Sequence, residues 1–188
     1  NAGLTVQLVD VDPKTYLIDW AALPPLRDGD ILMPVHLFGY AALPPSPRPT
    51  YPLLEDACES LGASGIGYGD AAAFSFYVAH TITTGVGGMV ATHHTWLDDA
   101  VKRLCNHGRE RAADLYAGLR VDHLDAAVRF RFTEVGFSYK LGDLNAALGI
   151  GQMERLATIL AGRQQRAAQL TQRLARYPLQ LPYDDGRH

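Results

Sequence analysis

The sequence is poor in lysine and contains no long apolar or basic run. Lysine occurs only at Lys14, Lys102 and Lys140, although lysine and arginine together number 17. No stretch approaches the roughly 18 uninterrupted apolar residues that a membrane-spanning helix requires. The net charge of −3 and the lack of clustered cations also argue against a nucleic-acid-binding surface, because phosphate binding needs grouped lysine or arginine.

Cysteine is almost as scarce as lysine. Cys58 and Cys105 lie far apart and have no further ligand at metal-binding spacing, so neither a metal site nor a disulfide framework is predicted. The N-terminus lacks the basic-then-apolar layout of a signal peptide. These features favour a cytoplasmic protein.

The composition that remains is typical of a folded α/β domain. The 188 residues are 47% hydrophobic and 20% charged. Short apolar runs bounded by Asp, Pro and Gly predict buried strands, and their lack of polar alternation favours parallel pairing under helices on both faces. We therefore expect a three-layer sandwich around a mostly parallel sheet. The predicted strands are residues 4–9, 31–35, 53–54, 71–77 and 89–91.

The second half of the chain has helical periodicity. A helix is predicted over residues 95–106, and a second helical pattern is capped by Asp143 and runs to Tyr177, with its apolar side formed by Leu144, Leu148 and Ile159. The charged, weakly periodic segment 109–133 is interpreted as a partner-facing excursion.

The first candidate site follows the predicted strand at 53–54. Asp56 lies at the carboxyl end of this strand, where open α/β sheets gather their ligands. Its carboxylate could bind a cation, act as acid or base, or hold a protonated pyridine nitrogen. The alternative is a structural cap for a following helix.

The second candidate site spans residues 74–88, where a strand end is followed by hydroxyl residues and then by glycines. Small hydroxyl residues and glycines let backbone amides approach an anion, so the pattern favours a phosphate-binding loop, with a tight hairpin as the alternative. Neither the Walker A nor the dinucleotide glycine pattern is present.

Both stretches resemble known signatures. EDACESLGA at 55–63 and FSFYVAHTITTGVGGMVAT at 74–92 are very similar to the two signature stretches of the DegT/DnrJ/StrS sugar aminotransferases. Further matches in the same order are LVDVDPKTYLID near the start, PVHLFG at 34–39, CNHGR at 105–109 and GFSYKLGDLNAALGIGQMERL at 136–156. The resemblance spans nearly the whole chain.

The resemblance implies a fold-type I enzyme that binds pyridoxal phosphate at a homodimer interface and moves an amino group from glutamate or glutamine to a nucleotide-linked keto sugar. By position, Asp56 pairs with the pyridine nitrogen, Cys58 packs against the ring face and Glu59 neighbours the phenolic oxygen. Ser75 holds the phosphate, and Ser138 reaches the phosphate of the neighbouring subunit, so active sites are shared.

The resemblance also implies a domain division. Residues 1–177 are expected to be the cofactor-binding large domain without its N-terminal part, which carries the family's Gly-Thr phosphate loop. Residues 178–188 are expected to be a linker towards a C-terminal small domain. Val86 stands where the family often has an acidic residue between the glycines.

The main departure from the family pattern is His80. It lies five residues after Ser75, where the family has the lysine that binds pyridoxal phosphate covalently. Imidazole cannot form that bond, but with an unperturbed pKa of about 6.5 it can transfer protons at cellular pH. A histidine here resembles the sugar 3-dehydratase branch, in which pyridoxamine phosphate condenses with the keto sugar and the histidine removes a proton.

Three functions stay open on the sequence. The first is a sugar 3-dehydratase of the GDP-linked kind with glutamate as amino donor, since the CDP-linked kind needs cluster-binding cysteines and none follows His107. The second is an ordinary keto-sugar aminotransferase, which needs a lysine from elsewhere or a Lys→His change. The third is a non-catalytic homologue with a structural or regulatory role in dimerisation.

Overall fold

The computed structural model describes residues 3–110 and 131–183. Within these ranges three strands and three helices form an α/β arrangement. The elements are a 3-10 turn at Trp20–Ala22, β1 (Leu54–Asp56), β2 (Ala71–Ser75), β3 (Gly88–Thr92), α1 (Thr95–Leu104), α2 (Asp143–Met153) and α3 (Leu156–Leu174). No described helix combines the length and apolar character needed to cross a membrane.

The sheet has the order β1-β2-β3. β1 and β2 pair in parallel, with Asp56 opposite Ala73, and β2 and β3 pair antiparallel. On the other side of β1, segment 32–36 adds parallel bridges from Leu32 to Leu53 and from Val35 to Asp56. The sheet is therefore mixed with mainly parallel pairing, as predicted, and the carboxyl ends of β1 and β2 lie at one edge.

The small core lies around β1 and β2. Leu53 just before β1, Ala72 in β2 and Ile82 on the loop after β2 are almost fully buried. The prediction of a strand at 4–9 is wrong. No described segment pairs with residues 4–9, and the alternate apolar side chains Leu4, Val6 and Leu8 are 66%, 82% and 90% exposed. Neither pairing nor burial among the described residues therefore offsets the entropy cost of ordering an extended strand.

A buried polar cluster fixes the loops beside β1. His36 is fully buried; its Nδ1 accepts the Ala42 amide at 2.9 Å, so the other nitrogen, Nε2, carries the proton and donates to Glu55 at 2.7 Å. Glu55 also accepts the backbone amides of Gly67 and Gly69. His36 is thus a structural residue, and the cluster satisfies polar groups that would otherwise be costly to bury.

The helical pattern from Asp143 differs in two ways from its prediction. It divides into α2 and α3 at a turn around Glu154 and Arg155, and Gly142 rather than Asp143 occupies the cap position of α2. Asp143 is the first helical residue, where its charge suits the helix dipole. Leu144 and Leu148 are 84% and 61% exposed, so the predicted apolar side of α2 is not covered by described residues.

Candidate active site

Asp56 ends β1 and lies at the edge where the parallel strands finish. Its backbone amide donates to Pro34 at 2.9 Å, and its carbonyl accepts the His36 amide at 2.9 Å, so the main chain is held on one side by segment 32–36. Its Oδ1 accepts the Cys58 amide at 3.1 Å, and no described residue donates to Oδ2. The chain after Asp56 turns rather than forming a helix, so the carboxylate stabilises a turn and keeps one open acceptor.

Asp56 and Ser75 share one face of the sheet. Asp56 is paired with Ala73, and Ser75 is two residues further along β2, so the alternation of side chains places all three on the same side. The Cα positions of Asp56 and Ser75 are about 8 Å apart from ideal strand spacings. Ala73 between them is small and exposed, which leaves a flat, accessible floor between a carboxylate and a hydroxyl.

The hydroxyl–glycine loop, residues 75–88, follows β2 and is closed by its own hydrogen bonds. The Phe76 amide donates to Gly87, the Thr84 amide donates to Phe76 at 2.9 Å, and the Thr83 hydroxyl donates to the same Phe76 carbonyl at 3.1 Å. The Ser75 hydroxyl oxygen accepts the Tyr77 amide at 3.3 Å, and no described residue accepts its proton. It is therefore free to donate to a ligand.

His80 lies on this loop, half-buried, five residues after Ser75. Its backbone amide donates to Tyr77 at 3.0 Å, and its ring contacts the Tyr77 ring edge-on at 6.4 Å between centroids. No described residue forms a hydrogen bond to its imidazole nitrogens. The backbone is fixed while the ring can accept or donate a proton.

The loop is anchored to α2 by residues that the sequence pattern did not single out. The Asn145 side-chain amide donates to the Thr84 carbonyl at 2.7 Å, and the Thr84 side chain is buried. Gly149 faces the Thr84 methyl closely: a Cβ there would be 3.0 Å from it. The start of α2 therefore determines where the loop, and with it His80, is held.

Glu59 lies at the same edge but points to a different loop. Its Oε2 accepts the Phe38 amide at 3.2 Å, and the residue is exposed. Glu59 and Thr81, the neighbour of His80, both line a cavity of about 460 Å³ that extends to α3. The ends of the two candidate motifs thus meet at this cavity.

Ser138 is placed by the CNHGR segment rather than by the strands. It bridges Asn106, and the amides of Phe137 and Tyr139 donate to the carbonyls of Leu104 and Cys105. Ser138 is exposed and forms no described hydrogen bond with the Asp56–Ser75 group, so its predicted contact with a second subunit stays a prediction. Residues 111–130, most of the proposed partner-facing excursion, lie outside the described residues.

Cys58 is a poorly ionised thiol in this site. Burial raises the pKa of the Cys58 thiol to about 11, and the adjacent carboxylates of Asp56 and Glu59 act in the same direction. Its Sγ lies 3.9 Å from the Ala73 carbonyl oxygen, against the floor between Asp56 and Ser75. Cys58 is therefore suited to packing and not to nucleophilic attack.

Alkylation tests this assignment. With Cys105→Ser leaving one thiol, we expect iodoacetamide to modify Cys58 at pH 8 about 10- to 100-fold more slowly than an unstructured cysteine peptide, because few molecules carry the thiolate. The rate should keep rising towards pH 11 and is measured by mass spectrometry of the Cys58 peptide. A rate that levels off near pH 8 to 9 would contradict the raised pKa.

Comparison with known proteins identifies the family of the chain. The model of the DegT/DnrJ/EryC1/StrS aminotransferase family matches residues 1–187. The chain belongs to this family. GDP-perosamine synthase of Caulobacter vibrioides is 34% identical to it over 93% of this chain and 46% of that relative.

Solved structures of the family have the same fold. A variant of the GDP-4-keto-6-deoxymannose-3-dehydratase ColD with bound GDP-perosamine superposes with a TM-score of 0.75 at 25% identity, over 94% of this chain and 49% of that one. The aminotransferase PseC of Helicobacter pylori superposes at 0.74 with 19% identity, over 94% and 47%. The predicted fold-type I architecture is confirmed. The chain spans about half the length of these relatives.

A further solved structure with this fold contains a bound cofactor. The Escherichia coli GDP-4-keto-6-deoxy-D-mannose-3-dehydratase was solved with hydrated PLP, at 23% identity, a TM-score of 0.72 and coverage of 90% and 47% of the two chains. This likeness shows the fold that the two chains share. In this chain the open Oδ2 of Asp56, the flat floor at Ala73 and the free hydroxyl proton of Ser75 fit a planar ring with a basic nitrogen at one end and a phosphate at the other.

Proposed function

We propose that this protein is a pyridoxal or pyridoxamine phosphate-dependent enzyme that acts on a nucleotide-linked 4-keto-6-deoxy sugar, and that it catalyses 3-dehydration. One observation supports the reaction above all: His80, an imidazole without a described hydrogen-bond partner, lies on the anchored loop, at the position to which the sequence resemblance assigns the family's lysine. The cofactor is proposed from the arrangement of Asp56, Ala73 and Ser75.

The roles proposed for the residues are those that the family resemblance implies by position. The Asp56 carboxylate would keep the pyridine nitrogen protonated, Cys58 would pack against the ring face and Glu59 would neighbour the phenolic oxygen. Ser75 donates its hydroxyl proton to the phosphate. When bound, the amine form of the cofactor supplies the amino group that condenses with the sugar carbonyl and the ring that accepts electron density.

His80 supplies the proton transfer that such a reaction needs. Its imidazole accepts a proton from the substrate, and the resulting imidazolium returns one to a departing hydroxyl group. Its fixed backbone and free ring nitrogens suit this exchange. Glutamate is proposed as the amino donor, and Ser138 is proposed to reach the cofactor phosphate of a second subunit in a homodimer.

A second candidate function is transamination of a keto sugar without dehydration. The similarity to GDP-perosamine synthase at 34% identity favours it. It needs a lysine at the cofactor, and the chain offers only Lys14, Lys102 and Lys140. Of these, Lys140 is closest in sequence to Ser138 and is exposed, which makes it the residue to exclude by experiment.

Spectroscopy with turnover separates these functions. The full-length protein is titrated with pyridoxal and pyridoxamine phosphates, treated with sodium borohydride, and assayed with a GDP-linked 4-keto-6-deoxy sugar and glutamate. We expect both cofactors to bind, no borohydride-dependent covalent attachment, and release of a 3-deoxy sugar. Covalent attachment that a Lys140→Gln variant removes would establish the aminotransferase instead, and failure to bind either cofactor would leave the non-catalytic homologue.

A further inference from the structure

The CNHGR segment, residues 105–109, contains a polar side chain that the proposed chemistry does not use. Asn106 follows the end of α1 and forms an antiparallel bridge with Ser138. The amides of the next residues in the chain, His107 and Tyr139, donate to carbonyls of the opposite segment at 2.8 and 2.9 Å. These bonds flank Asn106 and Ser138, which are therefore a non-hydrogen-bonded pair, the closer of the two antiparallel kinds, with Cα atoms about 4.5 Å apart.

This pairing places the Asn106 carboxamide beside the Ser138 hydroxyl. Side chains of directly opposed residues lie on the same face of the ladder, with Cβ atoms about 4.5–5.5 Å apart. Asn106 is half-buried and Ser138 is exposed. Among residues 3–110 and 131–183, neither side chain has a hydrogen-bond partner. The amide hydrogens of Asn106 and the hydroxyl hydrogen of Ser138 are thus free to donate to one ligand.

The backbone around the pair is held by hydrogen bonds and an ion pair. The Asn106 amide donates to Arg103 at 3.0 Å, and the Asn106 carbonyl accepts the Arg109 amide at 3.0 Å. The Arg103 side chain forms an ion pair of 2.7 Å with Glu134, which ties the chain leading to Ser138 to α1. Because the two segments are already ordered, a ligand that binds both side chains does not have to fix the backbone.

The turn after Asn106 is strained. His107 has φ of +63°, a left-handed conformation that residues with a side chain rarely adopt, and Gly108 follows with φ of +74°. These two residues reverse the chain directly after Asn106. Strained positions of this kind are concentrated at ligand sites in folded proteins. The strain therefore supports a binding role for the residue pair beside the turn.

The end of α1 does not oppose an anion at this place. The last carbonyls of a helix carry partial negative charge, which repels anions where those carbonyls are free. Here the carbonyls of Leu104 and Cys105 already accept backbone amides. The exposed Lys140 lies two residues after Ser138 and adds positive charge. Two hydrogen-bond donors next to a cation suit an anionic ligand such as a phosphate group.

We propose that Asn106, together with Ser138, binds the cofactor phosphate of a second subunit, so that each site receives two adjacent donors from its partner. This inference rests on the proposed function, in which Ser138 reaches that phosphate. It is supported by the adjacent placement of the carboxamide and the hydroxyl, because a phosphate group has enough acceptor oxygens to bind both. Asn106 is then a cofactor-binding residue that acts across the dimer interface.

Titration with phosphorylated and unphosphorylated cofactor tests the assignment. For the full-length protein, we expect Asn106→Ala and Ser138→Ala each to weaken pyridoxal phosphate binding about 10-fold or more, because each removes a hydrogen bond to a charged group. Asn106→Asp keeps the size of the side chain but places a carboxylate beside the phosphate, so its loss should be larger. The affinity for pyridoxal, which lacks the phosphate, should change by less than about 3-fold in all of these variants.

Tyr139→Phe is the matched control. It removes a hydroxyl from the residue next to Ser138, while the ring keeps its stacking on Phe137 at 5.0 Å between centroids. Because successive side chains of an extended segment point to opposite faces, pyridoxal phosphate affinity should not change. Thermal unfolding of all variants verifies that the fold is retained. Equal losses for pyridoxal and pyridoxal phosphate, or unchanged affinity in both Asn106 variants, would overturn the assignment.

Mixed dimers test whether the pair acts across the interface. One subunit carries Asp56→Asn and Ser75→Ala, which remove its own cofactor contacts, and the other carries Asn106→Ala and Ser138→Ala. After random exchange of subunits, about one quarter of all sites should bind pyridoxal phosphate with wild-type affinity, because about half of the dimers are mixed and each of these has one intact site. Absence of such sites would place Asn106 in the site of its own chain, contrary to the proposal.

The wild-type titration separates this inference from the function on which it rests. If pyridoxal phosphate binds equally well to the wild type and to the Asn106 variants, only the inference fails. If affinity falls in those variants as expected but no 3-deoxy sugar is released by the wild type, the dehydration fails and the phosphate contact stands. If the wild type binds neither cofactor, both fail.

Discussion

Replacing His80 with asparagine is expected to lower turnover of the keto sugar about 100- to 10,000-fold, the usual contribution of a positioned acid or base. Asparagine cannot transfer the proton, but it is polar and fits a half-buried position on the same loop. Because the loop backbone is held by Thr84 and Asn145, the cofactor site should keep its shape. Cofactor affinity should therefore change by less than about 3-fold, far below the loss of one hydrogen bond to a charged group.

Two comparisons make this result decisive. His80→Lys should restore the covalent attachment typical of the family, seen as a visible absorption band that sodium borohydride removes. It should also shift the product from a 3-deoxy sugar to an amino sugar. If His80→Asn turns over sugar at the wild-type rate, the proton is transferred by another group and the dehydratase proposal loses its supporting observation. Asn145→Ala, which frees the loop without touching His80, serves as the control for a positional effect.

The elements that carry the candidate site could be predicted because their signals are local. The apolar runs predicted as strands at 53–54 and 71–77 are both short and continuous, and the strands found there are Leu54–Asp56 and Ala71–Ser75. The amphipathic stretch before Cys105 forms α1 for the same reason. Sequence reasoning works here because a few neighbouring residues decide the backbone conformation.

The positions of the loops around the candidate site depend on contacts between residues that are distant in the chain, and a single sequence does not reveal those contacts. Glu55 and His36 are 19 residues apart, and Asn145 bonds to Thr84 across 61 residues, yet these pairs hold the β1 loops and the hydroxyl–glycine loop. The loop at Gly62 also lies directly against Leu160 of α3, a contact that neither segment of the sequence indicates by itself. The wrong strand at 4–9 is the converse case, in which an apolar run has no described partner strand.

Gly108→Ala is expected to destabilise the protein by at least about 3 kcal/mol, which for a chain of this size lowers Tm by about 6–12 °C. Gly108 is buried with φ of +74°, and a Cβ there would lie 1.8 Å from the backbone oxygen of Glu134. Its amide donates to Arg103 and its carbonyl accepts the Thr133 amide, so neither chain can move away without losing hydrogen bonds. Thermal unfolding followed by circular dichroism measures the effect.

Gly67→Ala separates the steric clash from the cost of the left-handed conformation. Gly67 has φ of +83° and nothing within 4 Å of the position a Cβ would take. The substitution should therefore lower the free energy of unfolding by only about 1–2 kcal/mol. Its amide still reaches Glu55 in the variant, because alanine keeps the N–H. Equal losses at 67 and 108 would mean that the contact between Gly108 and residues 134–136 does not form. The described position of Ser138 depends on this contact. It would then be wrong, and so would the proposed contact of Ser138 with a second subunit.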